Sequence, residues 1–268
     1  MTLEVSGKTH LGRVRTSNED RYFIGVLHKA MEIVDSNLEV TDAITSFSQL
    51  DAYMLMVADG VGGVAGGERA SQSAVFSLTT YLARTAACTY DPDVEQEDEF
   101  LQRLEEALQR AHDVVRSIGT GSRAPATTLT MALVLGARAY IAHVGDSRAY
   151  IYRGGRLRQI TRDQTMSAYL QDLGVSHDPR GENKLGNMLA SAVGGSTMVP
   201  TIGLVDVAPG DSLLLCSDGL TKHVPDDRIA ERLQSGKSAS GVCDELVNAA
   251  LAAGGTDNVT VIVARVSQ

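Results

Sequence analysis

The sequence has no run approaching the ~18 consecutive apolar residues of a membrane-spanning helix, and its start, MTLEVSGKTH, carries no apolar leader core. No membrane is expected as a partner, and the cytoplasm is the expected location. A cluster of five or more basic residues is also missing. Lys plus Arg number 24 against 33 Asp plus Glu, for a net charge of −9, so nucleic acid is not an expected partner either. Cysteine is scarce: Cys88, Cys216 and Cys243 are odd in number, far apart and never in a C-x-x-C pair. That excludes a disulfide framework and a thiolate zinc site and leaves buried free thiols. The six histidines show no His-x-x-x-His spacing, so a metal site here must be built from oxygen. No Gly/Ser/Pro-rich linker or low-complexity stretch divides the 268 residues, which read as a single domain, 1–268.

What is present is a set of short β-branched or alternating apolar runs at 22–26, 53–58, 128–135, 139–144, 149–152, 212–216 and 258–266, each bounded by Gly, Asp or Asn. These predict strands. Helical periodicity covers 68–87 and a second segment entered through the acidic stretch DPDVEQEDE at 91–99, with Leu101, Leu104, Leu108, Ala111, Val115 and Ile118 on one face. Further helices are expected at 226–234 and 238–253. Strands grouped with strands and helices with helices predict an α+β fold of antiparallel sheets covered by helices, not a doubly wound sheet. Residues 27–49 read as an insertion, and 165–200 as an irregular stretch rich in Gly and polar residues.

The run LMVADGVGG, 55–63, ends its apolar portion at Asp59 and then uses three glycines in four positions. An Asp-Gly pair alone is ordinary turn chemistry. Here the pattern recurs: Asp218 in LLLCSDGL, Asp146 in AHVGDSRAYIY, Glu19 and Asp20 in TSNEDRYFI, and Asp257 in GGTDNVTVIV each stand at the mouth of an expected strand. Sheet geometry can gather such positions at one edge. Bare carboxylates gathered there raise one another's pKa, and divalent cations relieve the repulsion. An all-oxygen donor set points to Mg²⁺ or Mn²⁺, and Gly60, without a Cβ, lets a carbonyl approach the ion.

The segments Gly12-Arg13-Val14-Arg15-Thr16-Ser17-Asn18-Glu19-Asp20, Asp59-Gly60-Val61-Gly62-Gly63, Thr127-Thr128-Leu129, Gly145-Asp146-Ser147-Arg148, Ser217-Asp218-Gly219 and Gly255-Thr256-Asp257-Asn258-Val259-Thr260 together resemble the metal-dependent type 2C serine/threonine protein phosphatases in their bacterial form. The resemblance spans nearly the whole chain in the family's order. It implies a four-layer αββα sandwich, two antiparallel β-sheets flanked by helices, with two Mn²⁺ or Mg²⁺ ions, and a weaker third, in a cleft at one end. By position it makes Asp59 the bridge between two ions, with the Gly60 carbonyl beside it. Asp218 and Asp257 then hold one ion, Asp20 and Glu19 support the other partly through water, and Asp146 helps hold the third with Asp218. Arg15 matches the arginine that grips substrate phosphate.

The implied chemistry is hydrolysis of phosphoserine and phosphothreonine on proteins by a water activated between two cations, with no covalent phosphoenzyme. Cys216 is then a packed strand residue rather than a nucleophile. Val61 stands where some relatives carry a histidine proposed as the acid for the leaving group. His177 is weighed for that role against an ordinary loop histidine, and His143 reads as a satisfied sheet residue. The stretch 165–200 corresponds to the family's flap, where Arg180 or Lys184 could meet acidic or phosphorylated partners. Expected partners are phosphorylated proteins, including a bacterial Ser/Thr kinase or its targets. Two alternatives stand beside this: a catalytically weak phosphoprotein-binding member of the same fold, and a phosphatase of anti-sigma antagonist proteins.

Overall fold

The structure, a computed structural model, describes residues 1–27, 31–37, 52–62, 66–86, 97–119, 124–174 and 188–267. In chain order the elements are β1 (Thr2–His10), β2 (Asp20–Leu27), β3 (Met31–Ser36), β4 (Ala52–Val61), α1 (Gly66–Ala86), α2 (Glu97–Ser117), β5 (Ala126–Thr127), β6 (Leu129–Leu135) and β7 (Arg138–Val144). There follow β8 (Arg148–Arg153), β9 (Arg156–Gln159), α3 (Met166–Asp172), β10 (Thr201–Asp206), β11 (Ser212–Cys216), α4 (Asp218–Thr221), α5 (Asp226–Gln234), α6 (Ala239–Ala252) and β12 (Val259–Ser267). One sheet runs β1-β12-β11-β8-β9. The other runs β10-β7-β6-β4-β2-β3, with β5 attached to β4, and every pairing is antiparallel.

Side-chain alternation explains the layering. In β4, Met54, Met56 and Ala58 point toward α1 and α2, where Ala74, Leu78, Leu104 and Leu108 cover them. Leu55 and Val57 point the other way, into a layer shared with Leu213 and Leu215 of β11 and Ile262 and Ala264 of β12. The outer face of that second sheet, through Leu214, Cys216, Val261 and Val263, is covered by Val242, Leu246 and Val247 of α6 and Ile229 and Leu233 of α5. Three apolar layers between four structural layers make the αββα sandwich.

Interior strands are buried on both faces, which is why their sequences read as continuous apolar runs. All seven expected strands are present, as are the four expected helices, with ends shifted by a few residues. Among the described residues five strands are unexpected: the two-residue β5 and the four sheet edges β1, β9, β10 and β3, the last inside the supposed insertion at 27–49. β1 and β10 are only partly buried and β9 alternates between exposed and half-buried, so none of these three gives such a run. Residues 28–30 and 38–49, Cys88, residues 91–96 of the acidic stretch, His177, Arg180 and Lys184 lie outside the described residues. Cys216 and Cys243 are buried free thiols, and burial pushes both up to about 12.

Candidate functional site

The inner faces of the two sheets part at one end of the sandwich. Asp20 begins β2, and Asp59 lies directly opposite it in the β2–β4 register. On both strands the inward set continues to them: Ile24, Tyr22, Asp20 and Leu55, Val57, Asp59. Asp59 is not at a strand end as expected from its sequence. The strand continues through it because β5 takes over the pairing, Gly60 with Thr127 and Val61 with Ala126. The Asp59 carbonyl accepts from the Thr128 N–H (2.9 Å) and the Thr127 hydroxyl (2.9 Å), while its N–H donates to Thr128 Oγ1 (3.0 Å). The carboxylate therefore sits on fixed backbone.

The other sheet contributes from its own strand ends. Asp146 lies in the β7–β8 turn and Asp257 just before β12. Asp218 stands two residues past the end of β11, at the strand mouth as expected, and opens α4 because the chain turns into a helix after Ser217. Gly219 is obligatory in that turn: a Cβ there would fall 1.8 Å from the Asn258 carbonyl oxygen. Arg15, Glu19, Asp59, Gly60, Asp146, Asp218 and Asp257 all line one cleft of about 1130 Å³. Asp20 lies beneath it, fully buried, with Oδ2 accepting from the Ser217 and Thr260 hydroxyls (2.7 Å each).

Electrostatically the cluster is under stress. Burial, eased only in part by its two hydroxyl bonds, and repulsion from Asp218 push Asp20 up to about 7. Burial and the Asp218 charge push Asp146 to about 7 as well. Asp59 is driven well above the usual carboxylate range by burial and then by Asp20, Asp218, Asp146 and Asp257. Glu19 rises by burial, partly opposed by Arg15. Asp257 is the exception: burial works to raise it, but hydrogen bonds from Arg15 and Lys222 outweigh that and hold it below its ordinary value. Arg15 grips it with two nitrogens, Nε at 2.8 Å from Oδ1 and Nη2 at 3.0 Å from Oδ2.

Sequence reasoning missed Lys222. Its Nζ stands 2.6 Å from Asp218 Oδ2 and 3.0 Å from Asp257 Oδ2. The Asp218-x-x-x-Lys222 spacing is a helical i,i+4 pair, visible only once a helix is placed at 218. Ser217, Thr260 and Asn258 were also missed as supports; Asn258 Oδ1 accepts from the Glu19 N–H (2.9 Å) and its Nδ2 donates to the Leu11 and Ser17 carbonyls. His143 is a satisfied sheet residue, hydrogen-bonded to Thr130 Oγ1 and the Arg162 carbonyl (2.9 Å each).

Two antiparallel sheets face to face, helices outside them and an acidic cleft where they part define the architecture of the metal-dependent protein phosphatases. The chain belongs to the protein phosphatase 2C family, whose model matches residues 33–258. It is 32% identical over 270 residues to the serine/threonine protein phosphatase PstP of Mycobacterium tuberculosis, covering 99% of this chain but 45% of that protein. The chain thus spans less than half the length of that relative. It is 32% identical over 213 residues to the serine/threonine phosphatase stp of Listeria monocytogenes, covering 78% of this chain and 83% of that one. The solved catalytic domain of PstP in complex with 2 manganese ions matches over 99% of both chains, with a TM-score of 0.73 and 30% identity.

Proposed function

We propose that this chain is a metal-dependent phosphatase that hydrolyses phosphoserine and phosphothreonine on proteins and opposes a bacterial Ser/Thr kinase. The observation that carries the reading is the gathering of Glu19, Asp20, Asp59, Asp146, Asp218 and Asp257 around one cleft from five places in the chain. The donor set fits hard divalent cations. All donors are oxygen, and Asp20 Oδ1 and Asp218 Oδ1 are buried with no hydrogen-bond partner among the described residues, the condition of a ligand atom awaiting a cation. Among the described residues no group of three acidic, His or Cys side chains closes around one point. Mg²⁺ and Mn²⁺ tolerate that, since such ions retain water and take few carboxylates each.

Two such ions would be held jointly by Asp59 and the Gly60 carbonyl, one of them further by Asp218 and Asp257 and the other with the support of Asp20 and Glu19. Asp146 with Asp218 would hold a weaker third. Bound Mn²⁺ or Mg²⁺ supplies an activated water and charge compensation for the phosphoryl oxygens. The chain does the rest. Asp20, Ser217 and Thr260 form a buried brace that fixes the cleft floor, and the backbone bonds of Asp59 hold its carboxylate without local rearrangement. Arg15, exposed at the rim and oriented by Asp257, offers a planar donor fork to the phosphoryl group. The chain acts as one catalytic domain, and its buried free thiols suit the reducing cytoplasm.

The test is release of phosphate from a phosphothreonine peptide with Mn²⁺, with Mg²⁺ and with EDTA, for the wild type, Asp59→Asn and Asp218→Asn. We expect turnover with metal only, reduced by about 10²-fold or more in each folded variant. A folded wild type that binds the phosphopeptide without turning it over with either metal would replace the phosphatase by a phosphoprotein-binding module.

A further inference from the structure

The acidic cleft is lined, among the described residues, by two basic side chains, Arg15 and Lys222. Lys222 is the one that reaches between would-be metal ligands. Its ammonium is within 3.0 Å of a carboxylate oxygen of both Asp218 and Asp257, and its side chain remains 35% exposed. The backbone that carries it is fixed: Leu220 is fully buried in the helix-covered core, Gly219 abuts Asn258, and the Lys222 N–H donates to the Asp218 carbonyl (2.8 Å). A flexible four-carbon stem on a rigid base can place its charge at the carboxylates or withdraw it toward solvent.

We propose that Lys222 is a tethered counter-cation of this cleft, competing with the divalent ion for Asp218 and Asp257 and setting the metal concentration at which the site fills. The inference rests on the metal reading of the cleft. Without an ion, the ammonium neutralises two carboxylates that would otherwise repel each other across a half-buried gap. An ion arriving at either carboxylate must break ion pairs that water alone would not have offered. Asp257 is doubly engaged, since Arg15 holds it from the other side. Among the described residues no lysine or arginine forms an ion pair with Asp20 or Asp59, which divides the cleft into a compensated half and an uncompensated half. The first ion is drawn to the uncompensated half, and the occupancy of the other half is controlled by the lysine.

The test is calorimetric titration of the full chain with MnCl₂, comparing wild type, Lys222→Met, Lys222→Gln and Lys222→Arg, with Asp59→Asn as the control for the cleft. We expect Met and Gln to tighten Mn²⁺ binding by about tenfold or more, the scale of one charged hydrogen-bonded pair, and Arg to remain within a few-fold of wild type. Melting in EDTA supplies a second reading: Met and Gln should lower the transition of the metal-free protein and leave the Mn²⁺-saturated one near wild type. Equal or weaker Mn²⁺ binding by both neutral variants would overturn the proposal. So would one additional ion bound at unchanged affinity, which would make the lysine a permanent substitute for a metal. A wild type that binds no Mn²⁺ overturns the metal reading itself, and the proposal falls with it.

Discussion

At the scale of single residues, the carboxylates of the cleft tie stability to pH with a definite sign. Asp20 titrates near 3.8 when unconstrained and at about 7 in the folded chain, and Asp146 shows the same shift. Between those values the folded protein holds more protons than the unfolded one, so stability falls as pH rises. In EDTA the melting temperature should therefore decline from pH 5 to pH 7, and Asp20→Asn should flatten that decline. Thermal melts across the interval check this, and a rising profile for the wild type would contradict it. Every carboxylate of the cleft was legible in the sequence, because each interrupts or borders an apolar run beside a glycine, asparagine or serine. Lys222 was not legible. Its meaning depends on one turn of helix, α4, that is too short to leave a periodic signature.

At the scale of elements, the helix α1 begins against the strand that carries Asp59. A Cβ on Gly60 would fall 2.2 Å from the Gly67 carbonyl oxygen, and backbone cannot give way as a side chain does. Gly60→Ala should destabilise the protein by about 1–3 kcal/mol through overpacking, read as a lower guanidinium midpoint, and should displace the Gly60 carbonyl from the cleft. The same junction shows where sequence reading stops. The interior strands β4, β6, β7, β11 and β12 announce themselves because both faces are apolar. The edge strands β1, half-buried along most of its length with Ser6, Gly7 and Lys8, and β9, Arg-Leu-Arg-Gln, which alternates between exposed and half-buried, carry no uniform apolar pattern. The two-residue β5, which carries β4 past Asp59, is specified only by its partner.

At the scale of the molecule, the cleft is held open by the layer between the sheets, where Leu55, Leu213, Leu215 and Ile262 meet. Leu215, fully buried there, should cost about 2–5 kcal/mol on replacement by alanine. Chemical denaturation measures that loss directly. The pairing of Asp20 with Asp59 carries a consequence for how errors in folding are handled. A slip of one residue between β2 and β4 turns every β2 side chain to the opposite face. Asp20 would then enter the apolar layer under α1, and its brace to Ser217 and Thr260 would be lost. The buried carboxylate thus doubles as a proofreading mark: a misaligned copy is penalised before it can persist, and whatever selection keeps Asp20 at the cleft floor also maintains the alignment of the strands.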